Sequence, residues 1–562
     1  MQVSIRRRST ALLAFSLLMG LVLFGTGSAD AAPKTENRPE LNWSDCYKDV
    51  TAETGTAYEC TQVNVPLDHD SPQGASIGLA LVRIPASDTE NRIGSLFLNP
   101  GGPGGSGVDF ALGFGPFAPF VWGPVANRYD IVGFDPRGIA RSTPLRCFGT
   151  IDQAVQAFPP LPFPLVEEEI PLFERGDQLL DDQCTRRGNR VLEHMSTANV
   201  ARDLDLLREA VGDDHLNFVG LSYGSYLGQT YANLFPDRVG AMVIDGVLDP
   251  IAWANVGSDV PFSTALKSDV GAQATLDEFF RQCDAALPGN CAFAPDSASR
   301  FYALADRLRE TPLLFTDPFT GESFPYLYQF LVADVLGALY SPEVFPILAF
   351  YLSVLETSPD AGTLGFARAD LYATDGFVSK RGFPNYPNFV EGFPGVACED
   401  SESPDGAHQL WFEVGKQATT DNGIFGELWT WASQPCAVWS SVDDDVYRGP
   451  FTADTANPVL VIGNLYDPAT RYEGAVTARD LLPNSALLSV DEPGHTSLGL
   501  SGCAGFVTGL YLADPIAGAS IADGLTCPSE GNWLDKLADG PGAGGPGAAF
   551  RAGIIDEVAF RP

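Results

Sequence analysis

Short apolar runs alternate with helical patterns through most of the chain, and this alternation indicates the fold class. Residues 93–98 and 129–134 are apolar runs that end in loops rich in glycine and proline, as buried strands do. Residues 196–211 carry apolar side chains at helical spacing behind a serine suited to cap a helix. Further strand-like runs are 216–219, 239–247, 458–463 and 486–490. Strands alternating with helices predict an α/β fold with a mostly parallel sheet flanked by helices.

The alternation of strand and helix patterns stops after residue 250. The stretch 251–394 is rich in aromatic residues and has helical patterns at 274–286, 297–309 and 326–340, without evenly spaced strands. We interpret it as an inserted, mainly helical cap. The predicted organisation is a signal peptide at 1–31, the first part of the α/β core at 32–250, the cap at 251–394, the second part of the core at 395–535 and a C-terminal tail at 536–562.

The N-terminal segment has the order of a secretory signal. Three arginines at 6–8 precede an apolar run at 11–24 and the small-residue sequence at 29–31. We expect cleavage after Ala31 and an extracellular protein. An uncleaved segment would instead anchor the protein in a membrane, because residues 11–27 approach the length of a spanning helix. No later segment is apolar enough to span.

Ten cysteines, an even number, are typical of an exported protein with disulfide bonds. A structural zinc site would need Cys-x-x-Cys or Cys/His clusters, which the sequence lacks. Neighbouring cysteines suggest local bridges, although the sequence does not fix the pairing. The suggested pairs are Cys46 with Cys60, Cys147 with Cys184, Cys283 with Cys291, Cys398 with Cys436, and Cys503 with Cys527.

The strongly negative net charge of the chain limits which molecules it can bind. The chain has a formal net charge of −37, and the predicted signal peptide removes three arginines and one aspartate, which leaves −39. Such a chain repels phosphate backbones, so nucleic acid is excluded as a partner. The charge also suits a secreted or salt-adapted surface. We expect no membrane partner beyond the signal peptide, and the oligomeric state does not follow from the sequence.

A serine nucleophile is predicted at Ser222, in the sequence Gly220-Leu221-Ser222-Tyr223-Gly224. A serine hydroxyl attacks only when a base takes its proton, and a sharp strand-to-helix turn that presents it needs small neighbours. Gly220 and Gly224 meet that need between the strand at 216–219 and a helix from residue 225. The alternative is a plain turn, because the short motif also occurs by chance.

The base and the acid should follow the serine along the chain. Of the five histidines, only His408 and His495 do so. His495 directly follows a predicted strand, whereas His408 lies in a polar stretch and is predicted to be a surface residue. Asp467 ends the preceding strand and is predicted to orient the imidazole, although an Asp-Pro turn is the alternative. Thr470 is placed to support the Asp467 carboxylate.

Backbone N–H groups must stabilise the negative charge that develops on the substrate oxygen. We expect one donor at Tyr223, the residue after the nucleophile. The other should come from the glycine-rich loop 99–107, at Gly101 or Gly102, because glycines let the backbone approach a substrate closely.

Neither a cofactor nor a metal is predicted. Gly102, Gly104 and Gly107 have the spacing of a dinucleotide-binding loop, but Pro103 lacks an N–H donor and no helix clearly begins there. The acidic run 443–445 lacks the ligand spacing of a calcium loop, and a solvated turn is the better interpretation.

Taken together, these motifs resemble those of the secreted tripeptidyl aminopeptidases, relatives of the prolyl aminopeptidases among the α/β-hydrolase serine peptidases. The resemblance extends from about residue 90 to 500 and implies an α/β-hydrolase fold with an inserted helical cap. Ala140 departs from it, because such loops usually have glycine there. The matching pieces are residues 99–107, 135–138 with Arg141 and Ser142, 220–226, Asp467-Pro468 with Thr470, and Gly494-His495.

The resemblance also implies an activity. Such enzymes cleave peptides near a free N-terminus, under a cap, with acidic side chains that grip the substrate's ammonium group. Glu399 and Asp400, where the cap returns to the core, are the predicted substrate-binding acids. Ordinary surface acidity is the alternative for both, and other cap acids such as Glu278 stay open.

Two other functions remain compatible with the sequence. A secreted carboxylesterase would use the same Ser222, Asp467 and His495 on esters and would need no ammonium anchor, so replacement of the anchoring acids separates it from a peptidase. A non-catalytic binding protein on a hydrolase scaffold would usually have lost part of this set.

Overall fold

The computed structural model describes residues 41–316, 323–357 and 388–536. The predicted signal peptide and nearly all of the predicted tail lie outside these residues. The strands are β1 (Ser44–Cys46), β2 (Tyr58–Pro66), β3 (Ser76–Ile84), β4 (Gly94–Asn99), β5 (Tyr129–Phe134), β6 (Leu216–Leu221), β7 (Val239–Asp245), β8 (Leu313–Thr316), β9 (Ser323–Tyr326), β10 (Val459–Tyr466), β11 (Ser485–Pro493) and β12 (Leu525–Cys527).

The α-helices in these ranges comprise a first group that precedes the cap and a second group in the cap and beyond it. The first group is α1 (Lys48–Thr54), α2 (Gly107–Phe114), α3 (Ala118–Val121), α4 (Ile151–Ala154), α5 (Ile170–Arg187), α6 (Thr197–Val211) and α7 (Tyr223–Leu234). The second group is α8 (Pro250–Ala254), α9 (Phe262–Ala265), α10 (Ser268–Ala285), α11 (Ser297–Glu310), α12 (Tyr328–Leu339), α13 (Phe345–Thr357), α14 (Phe389–Asp400), α15 (Ala407–Asn422), α16 (Gly426–Trp431), α17 (Tyr472–Leu481), α18 (Gly502–Ala513), α19 (Pro515–Ala522) and α20 (Trp533–Lys536).

One large sheet contains all strands except the β8–β9 hairpin, in the order β1-β2-β3-β5-β4-β6-β7-β10-β11-β12. From β5 to β12 the neighbouring strands run parallel, while β1, β2 and β3 form an antiparallel edge. Every residue of β4, β5 and β7 is buried, as expected for strands covered by helices on both faces. The predicted α/β-hydrolase fold class is confirmed.

The sequence pattern located the central strands to within a few residues. Two extensions matter for function: β6 continues to Leu221 and β10 to Tyr466, so Ser222 and Asp467 each follow directly on the end of a strand. The helix predicted at 196–211 is α6, and Ser196 caps it by accepting a hydrogen bond from the Asn199 N–H.

Between β7 and β10 the described residues form α8 to α16 and the β8–β9 hairpin, and we refer to these elements as the cap. The predicted end of the cap at residue 394 falls inside α14, because Pro394 is accommodated within that helix. Helical structure then continues to Ala437, and the sheet resumes at Val459. The sheet therefore resumes where the strand-like run 458–463 predicted it, and the predicted domain scheme stays a prediction.

Helix α5, which precedes the cap in the chain, packs together with the cap helices. Helix α5, between β5 and β6, buries Ile170 and Phe173 in the same apolar cluster as the cap helices. The predicted domain scheme places α5 in the first part of the core, at 32–250. Its packing against the cap brings residues from both halves of the chain over one edge of the sheet.

The ten cysteines form the five predicted local disulfides, which is typical of an extracellular protein. Cys398–Cys436 links α14 to the 3-10 turn at 434–437, and Cys147–Cys184 links the loop after β5 to α5. In the described ranges no single helix has the length and apolar character needed to cross a bilayer, although α12 together with residues 342–357 meets that test as a pair bent by 118°.

Close packing of α2 on β5 yields a stability prediction. A Cβ at Gly107 would lie 2.1 Å from the Phe134 carbonyl oxygen, whereas a Cβ at Gly113 in the same helix would meet nothing within 4 Å. We expect Gly107→Ala to lower the free energy of unfolding by about 1–3 kcal/mol through overpacking. Gly113→Ala, the matched control, should be neutral or stabilising because alanine favours helix. Urea unfolding midpoints measure both, and a Gly107→Ala midpoint at or above that of the unmodified protein would contradict the expectation.

Candidate active site

Ser222 occupies a strained turn between β6 and α7. Its backbone has φ 55° and ψ −124°, a conformation that residues with a side chain rarely adopt. The turn is held because the Ser222 N–H donates to the Asp245 carbonyl oxygen at 2.9 Å. A Cβ at Gly220 would lie 2.2 Å from the Gly224 oxygen, and one at Gly224 would lie 2.8 Å from Asn99 Oδ1. Both flanking glycines are therefore required by contact.

His495 and Asp467 form a buried pair on the loops that follow β11 and β10. His495 Nδ1 lies 2.9 Å from Asp467 Oδ1 and 3.0 Å from Oδ2. An ionised carboxylate only accepts hydrogen bonds, so Nδ1 carries the proton and Nε2 is left as the basic nitrogen. The cap also holds this histidine: the His495 N–H donates to the Tyr340 carbonyl oxygen at 2.9 Å, and the two rings meet edge to face with centroids 5.1 Å apart.

The Asp467 carboxylate is fully buried and well supplied with donors. It accepts the N–H groups of Ala469, Thr470 and Thr496 at 2.9, 2.8 and 3.1 Å, and the Thr470 hydroxyl at 3.0 Å. Burial by itself raises the pKa of Asp467, but the opposing His495 charge and these hydrogen bonds outweigh it and lower the pKa below its usual value. Asp467 therefore stays ionised and able to stabilise an imidazolium.

The strand order brings the three side chains to one edge of the sheet. Strands β6, β7, β10 and β11 are consecutive neighbours and parallel, so their carboxyl ends lie side by side. Gly246, just after β7, lies between the two parts of the site: a Cβ there would be 3.1 Å from Thr470 Oγ1 and 3.4 Å from His495 Cε1. Ligands bind at such an edge in open α/β sheets.

The predicted oxyanion-stabilising groups surround the serine. A Cβ at Gly101 would lie 2.9 Å from both Ser222 Cβ and the Tyr223 nitrogen, so the glycine loop passes directly over Ser222. The Gly101 N–H already donates to Asn99 Oδ1 at 3.0 Å, which favours Gly102 as the donor from this loop. Tyr223 is the first residue of α7, where N–H groups have no partner within the helix.

A cavity of about 300 Å³ lies over Ser222 and Thr470. The loop 102–105 forms part of its wall, and most of the remainder is apolar, from the segment before α5 and from the cap. Its larger apolar side chains include Phe158, Leu161, Phe262, Leu336, Trp429 and Trp431.

Asp177 is the one carboxylate among the described lining residues of this cavity. Its Oδ2 lies 2.7 Å from His408 Nε2, and both side chains are buried. The prediction that His408 is a surface residue was wrong, because α15 packs against α5 and only 1% of His408 is exposed. Burial raises the pKa of Asp177, and His408 opposes that rise without cancelling it.

Sequence reasoning missed Asp177, although a signal was present. In α5 the buried residues Ile170, Phe173, Leu180 and Cys184 follow the alternating three and four spacing of an apolar helix face. Asp177 occupies the middle position of that series. A carboxylate on an otherwise apolar stripe needs a buried partner or a ligand.

Asp400 lies behind the nucleophile turn, at the end of α14. Its Oδ1 accepts the Thr197 N–H at 2.8 Å, and its Oδ2 accepts the Thr197 hydroxyl at 2.5 Å and the Trp253 indole N–H at 3.3 Å. The Thr197 hydroxyl also contacts the Tyr223 hydroxyl, so this network supports the residue after Ser222. Burial raises the pKa of Asp400 to about 7 against the lowering effect of these hydrogen bonds.

Glu399 precedes Asp400 in the chain, is also buried, and binds the segment 439–443. Its Oε1 accepts the Trp439 indole N–H at 3.2 Å, and its Oε2 accepts the Asp443 N–H at 2.6 Å. Neither Glu399 nor Asp400 is among the described residues that line the cavity. The substrate-gripping role that the resemblance implied for both remains a prediction without a described contact.

One group of side chains has the composition of a metal site. Ligand atoms of His194, Asp443 and Asp445 all lie within 4.8 Å of one another. The Asp443 carboxylate is buried and already accepts the Ser196 N–H at 2.8 Å, so the predicted solvated turn at 443–445 is wrong for this residue. Arg202 lies 3.6 Å from Asp445, so a positively charged side chain already faces this group of acids.

A serine on a strand-to-helix turn, at the same sheet edge as a buried histidine-carboxylate pair, defines a serine hydrolase of the α/β-hydrolase fold. Comparisons with known proteins agree. A family model described as alpha/beta hydrolase fold matches residues 94–290, and one described as TAP-like protein matches residues 422–527.

Curated relatives cover most of the chain. Tripeptidyl aminopeptidase of Streptomyces coelicolor is 31% identical over 89% of this chain and 88% of its own. Serine protease Hip1 of Mycobacterium tuberculosis is 31% identical over 86% and 91%, and a protein named Carboxylesterase B of the same organism is 33% identical over 88% and 94%. The chain belongs to the tripeptidyl aminopeptidase family of α/β-hydrolases and is a serine hydrolase of this fold.

The Thr470 hydroxyl is expected to position the acid. Thr470→Val removes one hydrogen bond from the buried Asp467 carboxylate, and bonds to charged groups contribute about 1.5–3 kcal/mol. We expect kcat to fall about tenfold with a small change in KM, and Thr470→Ser to restore most of it. Steady-state kinetics on one substrate measure both variants, and equal losses in the valine and serine variants would contradict a role for the hydroxyl.

The raised pKa of Asp400 predicts how stability depends on pH. The folded protein keeps a proton on Asp400 up to about pH 7, whereas the ordinary value of 3.8 applies when unfolded. The stabilisation of the folded protein by this buried, protonated carboxyl group is therefore complete below pH 3.8. It is lost as the pH rises through the folded-state pKa of about 7. Relative to Asp400→Asn, the free energy of unfolding of the unmodified protein should decline between pH 4 and pH 8. Denaturant unfolding at several pH values measures it, and a constant difference would be inconsistent with a buried, protonated Asp400.

Proposed function

We propose that the protein is a secreted serine exopeptidase that removes short segments from the free N-terminus of peptides. The observation that carries the proposal is the cavity over Ser222, which is bounded by the cap and by the segment before α5. Its volume of about 300 Å³ is at the lower end for ligand sites and suits a chain end better than the middle of a folded polypeptide. The name tripeptidyl aminopeptidase of the relatives supports the same activity.

In this proposal Ser222 is the nucleophile. His495 Nε2 takes the serine proton as Oγ attacks the substrate carbonyl carbon, and Asp467 stabilises the imidazolium that forms. The Tyr223 and Gly102 N–H groups stabilise the negative oxygen of the tetrahedral intermediate. The imidazolium then protonates the leaving amine, the acyl-enzyme remains, and a water activated by His495 hydrolyses it.

Two features extend the proposal beyond the chemistry. Export by the N-terminal signal agrees with five disulfides, which form and persist in oxidising compartments. The partners are then peptides outside the cell, and the strongly acidic chain disfavours nucleic acid. The proposed chemistry requires no metal and no cofactor.

A carboxylesterase is the second candidate function. The relative named Carboxylesterase B, at 33% identity, and the largely apolar cavity wall both favour it. The same three residues would cleave an ester without any group that recognises an amine. The free amine of the substrate therefore separates the two functions.

The test is a panel of fluorogenic amides with one, two or three residues, each with a free or an acetylated N-terminus. We expect hydrolysis of the free-amine substrates to be preferred, and Ser222→Ala to lower kcat at least about 10⁴-fold. Ser299→Ala, an exposed serine in the cap, is the matched control and should retain activity.

Each arm of this panel has a decisive result. Equal rates on free and acetylated substrates would replace the exopeptidase proposal with an esterase or an endopeptidase. Full activity of Ser222→Ala would refute the proposed nucleophile, because no other residue would be expected to form the acyl-enzyme.

A further inference from the structure

The substrate of the proposed exopeptidase carries a positive charge into an apolar cavity. An ammonium group transferred from water to such a site is strongly disfavoured unless an opposite charge or several acceptors receive it. The described lining residues include no lysine or arginine and one carboxylate, that of Asp177. Asp177 is therefore the group in the described wall whose charge complements a peptide N-terminus.

The Asp177 carboxylate is held on one side and available on the other. Oδ2 lies 2.7 Å from His408 Nε2, and no described residue donates a hydrogen bond to Oδ1. Donation from His408 Nε2 to Oδ2 fixes the orientation of the carboxylate and leaves Oδ1 for a ligand. The His408 ring in turn stacks on Trp431, with centroids 6.0 Å apart, and Trp431 itself lines the cavity.

The two acids implied by the resemblance are less suited to this task. Both oxygens of Asp400 are engaged by Thr197, with Trp253 as a further donor, and both oxygens of Glu399 accept hydrogen bonds from the segment 439–443. Burial raises the pKa of both Asp400 and Asp177, so the unengaged oxygen, and not the charge, distinguishes Asp177 from Asp400. An acid whose two oxygens already accept hydrogen bonds is a weaker partner for an ammonium group.

We propose that Asp177, positioned by His408, binds the α-ammonium group of the peptide substrate in the cavity that Ser222 also lines. This assignment rests on the proposed exopeptidase function and names the group that makes it selective for a free N-terminus. It has a consequence for the products. With the ammonium group held at a fixed residue, the span from Asp177 to Ser222 determines how many residues are released in each cut.

The variants are Asp177→Asn, which removes the charge and keeps the shape, and Asp182→Asn on the same helix. Asp182 is an exposed acid, 3.2 Å from Arg186, and lies outside the cavity, so it is the matched control. Each protein is assayed with trialanyl aminomethylcoumarin, with a free and with an acetylated N-terminus. Near-ultraviolet circular dichroism and the thermal midpoint establish that each variant is folded.

We expect the unmodified protein and Asp182→Asn to share the same strong preference for the free amine. In Asp177→Asn the ratio of kcat/KM for the free substrate to that for the acetylated one should fall about 10- to 100-fold, the range for a hydrogen bond to a charged group. The loss should be mainly in KM. Mass spectrometry of a longer peptide should show one product length with the unmodified protein and several with Asp177→Asn.

A second readout does not depend on folding of the asparagine variant. Asp177→Glu keeps the charge and moves it by one methylene, so it should retain part of the free-amine preference and shift the length of the released product. If either variant is folded and keeps the unmodified ratio and product length, the assignment of Asp177 is overturned while the exopeptidase function stands. If the unmodified protein itself shows no preference for the free amine, the proposed function fails, and the anchor fails with it.

Discussion

The site depends on how closely three segments of backbone approach one another around Ser222. The loop after β4, the end of β6 and the start of α7 meet at distances that no side chain larger than hydrogen would permit at Gly101, Gly220 and Gly224. The positive φ of Ser222 is maintained by this packing and by its hydrogen bond to the end of β7. Strain at a single residue persists because the surrounding structure over-determines it.

Much of the core was predictable because its signals are local. Each central strand is a short apolar run closed by a loop. Ser222, Asp467 and His495 were predicted from this immediate context, and each lies just after the end of a strand. The cysteine pairing followed from proximity in sequence for the same reason. The left-handed Ala140, with φ 45°, shows that a departure from the expected glycine was accommodated in the backbone.

What the sequence did not reveal depends on contacts between distant segments. Asp177 and His408 are 231 residues apart and meet only because α5 packs with the cap. Glu399 and Asp400 adjoin each other in an acidic pair, yet the direction each one faces is decided by the packing of α14 against the core. No local pattern encodes which of several acids will face a cavity, since most acids in this chain are compatible with solvent.

The contact between Tyr340 and His495 links the covering layer to the chemistry. The histidine is held from below by Asp467 and from above by a carbonyl oxygen and an aromatic ring of the cap. Any displacement that lifts residue 340 to admit a peptide also releases the imidazole from half of its support. A cap displaced at this residue would leave the imidazole oriented by Asp467 alone, so closure of the cap and alignment of the histidine are coupled through a single residue.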